Sequence, residues 1–329
     1  MVETKKKIVI LHRFPQERIK ETNASFPYLL DSRVTVKTFK VFDRLDEKKK
    51  LLKSILWIFY APLRVFGRGY DVIYCDDSFP FYPILVKIAS PFSKVILRLG
   101  DLHLMYYCDG FVYWFFHQIE KIGWMLADKI LAISKPMADY IGKKATVILD
   151  PVDPTDFTVE CHTPDITTIM FHGLLIENKN IDMLLIAARR LPQFKFVIIG
   201  DGPAYNHLHT SAPWNVSMLG WKPFKEIKYY ISRCDIGVAL RSKNKGNELV
   251  VTSPFLQYSV CSKPCVVSRR KVFDDMDYSL QFETADELVG LINFLSIKEV
   301  AREIGRRNQE YVLKFHDARI IAQQIKAEW

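Results

Sequence analysis

The sequence predicts an α/β chain of two parallel-sheet lobes, and three observations carry that expectation. Short apolar runs alternate with helical patterns from Thr168 to Ser268, the same alternation fills the first half, and no low-complexity segment interrupts either series. Strands of the buried type alternating with helices argue for parallel sheets covered on both faces. In such sheets ligands sit at the carboxyl ends of the strands. At 329 residues, 49% hydrophobic and 25% charged, the chain has ordinary globular composition and length enough for two cores.

In chain order, the first half reads as the strands KKIVILH, RVTVKTF and DVIYC, a helix near Ile84 to Ala89, and the strand KVILRLGD. A long aromatic helix from about Phe111 to Ala127, the strand KILAIS, a short helix and the strand TVIL complete it. The loop after the first strand, HRFPQERIKETNAS, holds no glycine. The G-x-G-x-x-G turn that brings backbone against a pyrophosphate is therefore missing, which argues against a nicotinamide dehydrogenase. Asp76 and Asp77, adjacent acids after a strand, read as a solvated turn without further metal ligands at useful spacing. No metal is expected. Asp101 and His103 follow KVILRLGD directly and have two readings, contacts to a substrate or a helix cap beside a packed histidine.

Between the second and third strands, residues 44–70 hold a helical pattern. Leu51, Leu52, Ile55, Leu56, Ile58 and Phe59 fill an arc of roughly 160°, rimmed by Lys49, Lys53, Trp57 and Tyr60 and followed by Arg64 and Arg68. Such a rim suits an anionic membrane surface, and the competing reading is a helix that covers the sheet. No apolar run approaches the roughly 20 residues of a spanning helix, and KKK passes directly into IVIL without a leader. The net charge of +9 calls for an anionic partner. Nucleic acid is not expected, because the basic residues interleave with apolar positions and form no recognised module. Cys75, Cys108, Cys161, Cys234, Cys261 and Cys265 lie mostly in apolar runs without paired spacing, and read as reduced core thiols of a cytoplasmic protein.

The second half runs from the strand TTIMFHG through a turn ending in Lys179 to an amphipathic helix from Ile181 to Arg190. Lys179 lies six positions after Gly173 and just ahead of that helix, where free N–H groups and the dipole favour an anion. Then come FKFVIIGDGP with Gly202, VSMLGW, a polar helix, DIGVALR, and a polar loop carrying Gly246 and Glu248. Ser253 followed by Pro254 reads as N-cap and first turn of a helix through Val260. His172, beside Gly173, reads as structural.

The run G-x5-K, F-x-F-V-I-I-G-D-G-P, N-V-x-M-L-G, C-D-I-G-V-A-L and S-K-P-C-V-V resembles the donor half of retaining GT-B glycosyltransferases of the family-four type. LADKILAIS followed by VILDPVDPTDF is similar to that family's interdomain signature, so the resemblance spans nearly the whole chain. It implies two Rossmann-like lobes facing each other across a cleft. An acceptor lobe of residues 1–155 would be rejoined by a C-terminal helix within 315–329, and residues 156–314 would bind the donor. It further implies transfer from a nucleoside diphosphate sugar by a front-face route without a metal or other cofactor, to a membrane-associated, lipid-linked or polysaccharide acceptor. The protein would be cytoplasmic or peripheral on the inner face of the plasma membrane, with a hinge near Asp150 to Thr158.

The same resemblance assigns residues. Glu248, Asp101 and His103 would contact the transferred sugar, and Gly173, Lys179, Gly202, Thr252, Ser253 and Gln257 would hold the donor. Gln257 stands where such enzymes place a glutamate on the ribose, and an amide still hydrogen-bonds a hydroxyl. Leu174 stands where they carry an arginine beside the diphosphate, and Glu248 precedes Gln257 by nine residues, one more than their usual spacing. These departures, with the glycine-free first loop, fit the alternative of a non-catalytic GT-B subunit that binds a sugar nucleotide or scaffolds a partner enzyme.

Overall fold

The protein is described by a computed structural model over residues 6–12, 23–38, 63–76, 81–102, 105, 110–142, 144–157, 167–176, 179–241, 244–274, 276 and 279–329. It divides into two compact units, one of Met1–Pro151 with Ala318–Trp329, the other of Val152–Asp317.

The first unit is a six-stranded sheet ordered β2-β1-β3-β4-β5-β6. Its strands are β1 (Ile8–His12), β2 (Val34–Thr38), β3 (Val72–Asp76), β4 (Lys94–Leu99), β5 (Lys129–Ala132) and β6 (Ala145–Val147), every pair parallel. The apolar runs IVIL and VIYC form central strands because each of their residues is buried, on whichever face it points. The connecting helices are α1 (Phe26–Leu29), α2 (Tyr82–Ala89), α3 (Gly110–Leu126) and α4 (Lys135–Ile141). α4 starts where Ser134, in extended backbone, accepts the Met137 N–H at 3.1 Å. α3 leaves Phe111, Trp114, Phe115 and Met125 exposed.

The second unit repeats the plan with the order β12-β11-β10-β7-β8-β9. Its strands are β7 (Thr168–His172), β8 (Lys195–Ile199), β9 (Val216–Met218), β10 (Ile236–Ala239), β11 (Cys265–Ser268) and β12 (Leu280–Phe282). Its helices are α5 (Asp182–Arg190), α6 (Tyr205–Ser211), α7 (Phe224–Arg233), α8 (Ser253–Val260), α9 (Ala285–Leu295) and α10 (Lys298–Phe315). Two cores result, one on each face of the sheet. Leu184, Leu185 and Ala188 of α5 meet Leu288 and Ile292 of α9 on one side, while Phe255 and Tyr258 of α8 meet Val312 of α10 on the other. α9 carries a reciprocal cap in which Thr284 accepts the Glu287 N–H and Glu287 accepts the Thr284 N–H.

The unit is tied at its base, where the Val152 N–H donates to the His316 carbonyl at 2.8 Å and Val152 bridges to Asp317. The chain then returns to the first unit with α11 (Ala318–Ala327). Its Ile321, Ala322 and Ile325, with Trp329 behind them, are buried among Ile8, Ile10, Leu29 and Tyr74.

Two expectations need correction. Asp76 is not a solvated turn: it is the last residue of β3 and fully buried, with Arg98, itself 2% exposed, beside it. The N-cap of the segment SPFLQYSV is Thr252, in extended backbone, and Ser253 is the first helical residue; Pro254 fits the first turn either way. Among the described residues Cys75, Cys234, Cys261 and Cys265 are buried and in no disulfide, while Cys108 and Cys161 lie outside them.

Candidate functional site

Each sheet has one place where consecutive connections leave in opposite directions, and there the strand ends open a crevice. In the second unit it lies between β7 and β10, neighbours in the sheet although β8 and β9 separate them in sequence. The end of β7 is His172 and Gly173, with Gly173 at φ +144° and its N–H bonded to the Ile199 carbonyl. Beside them the end of β8 approaches so closely that a Cβ on Gly200 would lie 1.9 Å from the Gly173 carbonyl oxygen. A Cβ on Gly202 would lie 2.3 Å from that of Leu175. Bare backbone is therefore obligatory here.

Lys179 returns over this floor, its Nζ 3.6 Å from where a Cβ of Gly173 would stand. Burial, and then the charge of Arg241, bring its pKa down to about 8. Its backbone N–H donates to the Ile176 carbonyl at 3.1 Å, and its ammonium makes no ion pair or hydrogen bond among the described residues. Below it His172 is 6% exposed, and burial followed by the Lys179 charge lowers it to about 4, so the ring is neutral. It packs edge-on against Tyr258 with ring centroids 5.3 Å apart, and its Nε2 has no hydrogen-bond partner. α5 opens with Asp182, so its first turn already carries a carboxylate, and affinity for an anion rests on Lys179 more than on the helix start.

Arg241 follows β10. Its N–H donates to Ser268 Oγ and its guanidinium donates to Asn247 Oδ1, each at 3.0 Å. Sequence reading passed over it as the tail of a strand, although an arginine two residues past a strand end is a legible signal once the neighbouring strand is known. Asn247 begins the short 3-10 turn Asn247–Leu249 that carries Glu248. Glu248 Oε2 accepts the Lys271 N–H at 2.9 Å, which fixes the carboxylate and leaves its other oxygen to a further donor. The segment then enters α8, where Thr252 makes no side-chain capping hydrogen bond; Pro254 has no N–H and the Phe255 N–H donates to the Thr252 carbonyl at 3.0 Å, so the first-turn donor left among the described residues is the Ser253 N–H. Thr252 Oγ1 and Gln257 Oε1 are shielded from solvent and have no hydrogen-bond partner among the described residues.

Thus Gly173, Lys179 and Gly202 gather at the ends of β7 and β8, while Glu248 and Thr252 lie between β10 and α8, and Ser253 and Gln257 within α8. Asp101 belongs to the first unit, two residues past β4, and is not part of this cluster; His103 and residues 44–62 lie outside the described residues. Of the basic rim, Arg64 and Arg68 are described, next to exposed Leu63 and Phe66. Among the described residues no group of three or more His, Cys, Asp or Glu side chains is placed to hold a metal ion, and no helix is long and apolar enough to cross a membrane.

Two six-stranded parallel lobes, one with a cationic glycine-floored switch point, give the chain the GT-B architecture of glycosyltransferases. Residues 181–327 match the model of the family described as glycosyl transferase-like. Among curated protein sequences none matches. HepE from Anabaena, solved with UDP, superimposes with a TM-score of 0.73 at 16% identity over 98% of this chain and 99% of that one. The same protein solved with UDP-glucose gives 0.70 at 16% identity over 98% of each. Sucrose-phosphate synthase from Thermosynechococcus elongatus gives 0.74 at 13% identity over 98% of each. At these identities the likeness is one of fold.

Proposed function

We propose that the protein is a retaining glycosyltransferase of the family-four type, moving a hexose from a nucleoside diphosphate sugar to an acceptor hydroxyl or phosphate. The observation that carries this reading is Lys179, a half-buried cation over a glycine floor with no carboxylate against it among the described residues. A diphosphate supplies the missing charge, and the UDP and UDP-glucose with which HepE was solved support that choice. As the glycosidic bond breaks, negative charge grows on the departing diphosphate, where Lys179 and the Ser253 N–H at the start of α8 would receive it. Glu248, oriented by the Lys271 N–H, accepts from a sugar hydroxyl and faces the developing positive charge of the sugar. Gln257 takes a ribose hydroxyl. The acceptor attacks on the leaving-group face and gives its proton to the departing phosphate, so neither an enzyme nucleophile nor a metal is required. The resemblance assigns sugar contacts to Asp101 and His103 as well. Exposed Phe111, Trp114 and Phe115 on α3 favour a membrane-associated acceptor over a soluble one.

The test is donor hydrolysis and thermal stabilisation across UDP-, GDP- and ADP-sugars for the wild type, Lys179→Ala and Glu248→Ala. Slow hydrolysis of one donor, lost in both variants while the diphosphate still stabilises Glu248→Ala, is the expected result. Stabilisation without turnover, even with membrane extract as acceptor, would instead identify a non-catalytic sugar-nucleotide subunit. No binding at all would sink both.

A further inference from the structure

We propose that Arg241 is the second phosphate-binding cation of this site, reaching from β10 the same diphosphate that Lys179 reaches from β7. The proposal rests on the nucleotide-sugar reading for the identity of its ligand, but its argument is geometric. β7 and β10 run parallel with Ile236 opposite Ile169, Gly237 opposite Met170 and Val238 opposite Phe171. Carried past the strand ends, that register sets Arg241 level with Leu174, the residue after the glycine under Lys179. The two cations thus flank one crevice from its two sides, and Arg241 is close enough to contribute to the lowered pKa of Lys179.

Two like charges held together in partial burial repel each other, and an anion between them removes that cost. Neither has a carboxylate partner among the described residues. Arg241 is also oriented: its backbone N–H is fixed by Ser268 and one guanidinium nitrogen by Asn247, which leaves most of its five N–H donors without a partner among the described residues. A planar fork with donors to spare suits a phosphate, and a point charge opposite it suits the second phosphate of a pair. Leu174, 55% exposed, leaves its own strand end without charge. The cation that the resemblance places at position 174 is then supplied from across the switch point, by a different strand.

Two cations on opposite sides of one crevice recognise a diphosphate much better than a monophosphate, and that difference is the readout. Titration calorimetry would compare UDP, GDP and ADP, the matching monophosphates, and inorganic pyrophosphate on the wild type, Arg241→Gln, Lys179→Ala, and the double variant Leu174→Arg with Arg241→Gln. Thermal melts check that each variant is folded. Arg241→Gln is expected to weaken the preferred nucleoside diphosphate by about 30-fold and its monophosphate by no more than about threefold. Leu174→Arg is expected to restore most of the loss, because the new guanidinium enters the same space from the other strand.

Equal weakening of mono- and diphosphate without rescue by Leu174→Arg would overturn the proposal and reduce Arg241 to a brace for the Asn247 turn. An unchanged diphosphate affinity in Arg241→Gln, with binding lost in Lys179→Ala, would overturn it while leaving the nucleotide-sugar reading intact. Pyrophosphate binding that depends on Arg241, in a wild type that ignores every nucleotide, would uphold the cation pair and remove the nucleotide. Failure of the wild type to bind either kind of ligand would overturn both.

Discussion

The two units place polar residues at equivalent points of their sheets and treat them in opposite ways. In the first unit the connections diverge between β1 and β3, which end in His12 and Asp76. There the buried Asp76 and Arg98 answer each other from within. Asp76 accepts from Arg98 Nη1 at 3.3 Å and Asn23 Nδ2 at 2.9 Å, His12 Nε2 lies 3.7 Å away, and Arg98 Nη2 donates to Asp150 at 2.6 Å. In the second unit Lys179 and Arg241 meet no carboxylate among the described residues. A closed network holds its own sheet together, whereas an open one keeps its electrostatic demand for something that arrives from outside. Equivalent topology therefore does not make equivalent sites.

The sharpest way to break this contrast is to remove one member of the closed network. Asp76→Ala leaves the buried Arg98 short of a counter-charge and is expected to cost roughly 3–5 kcal/mol in urea unfolding. A loss below about 1 kcal/mol would mean that the network is not closed as described.

The next effect reads the open site by pH. A nucleoside diphosphate sugar has no phosphate ionisation near neutrality, so its affinity follows the lysine that must be protonated to receive it. With the Lys179 pKa at about 8, affinity is expected to be level below that pH and to fall about tenfold per unit above it. Lys179→Arg, charged throughout, should give a level profile. A wild-type profile that is level to pH 10 would count against the assigned environment of Lys179.

The smallest effect has the sign opposite to the first. A lysine whose folded pKa is depressed destabilises the fold while it is charged, and the unfolded chain holds the extra proton between about 8 and 10.5. Stability of the wild type should thus rise with pH across that window. Lys179→Met should be more stable than the wild type at pH 7, by about 1 kcal/mol once solvent screening is allowed for, and the gain should vanish towards pH 10.5. A destabilised Lys179→Met would place that charge with the structural residues.

Much of the architecture could be read from the sequence because buried parallel strands announce themselves as apolar runs, as IVIL, VIYC and FVII do. Gly173 and Lys179 were legible for the same local reason, a strand end and a helix start within a few residues. Asp76 was misread because its partners are remote, Arg98 by 22 positions and Asn23 by 53. Arg241 was passed over because its meaning depends on β10 lying beside β7, and strand order is a property of the assembled sheet. β12 escaped notice because three residues are too short to show a period. Thr252 and Ser253 differ by one position, within the ordinary latitude of helix boundaries.

The return of α11 to the first unit has a consequence for biosynthesis. Domains ordinarily fold in the order in which the ribosome delivers them, at about 5–20 residues per second. Here the β1–β6 sheet is translated early, yet the side chains that cover its Ile8, Ile10 and Tyr74 are translated only after all of Val152–Asp317. For an interval on the order of ten seconds or more the nascent chain carries an apolar sheet that α1 covers only in part while its later neighbour completes itself. The order of maturation is inverted, and it is in that interval that the chain has most need of a chaperone.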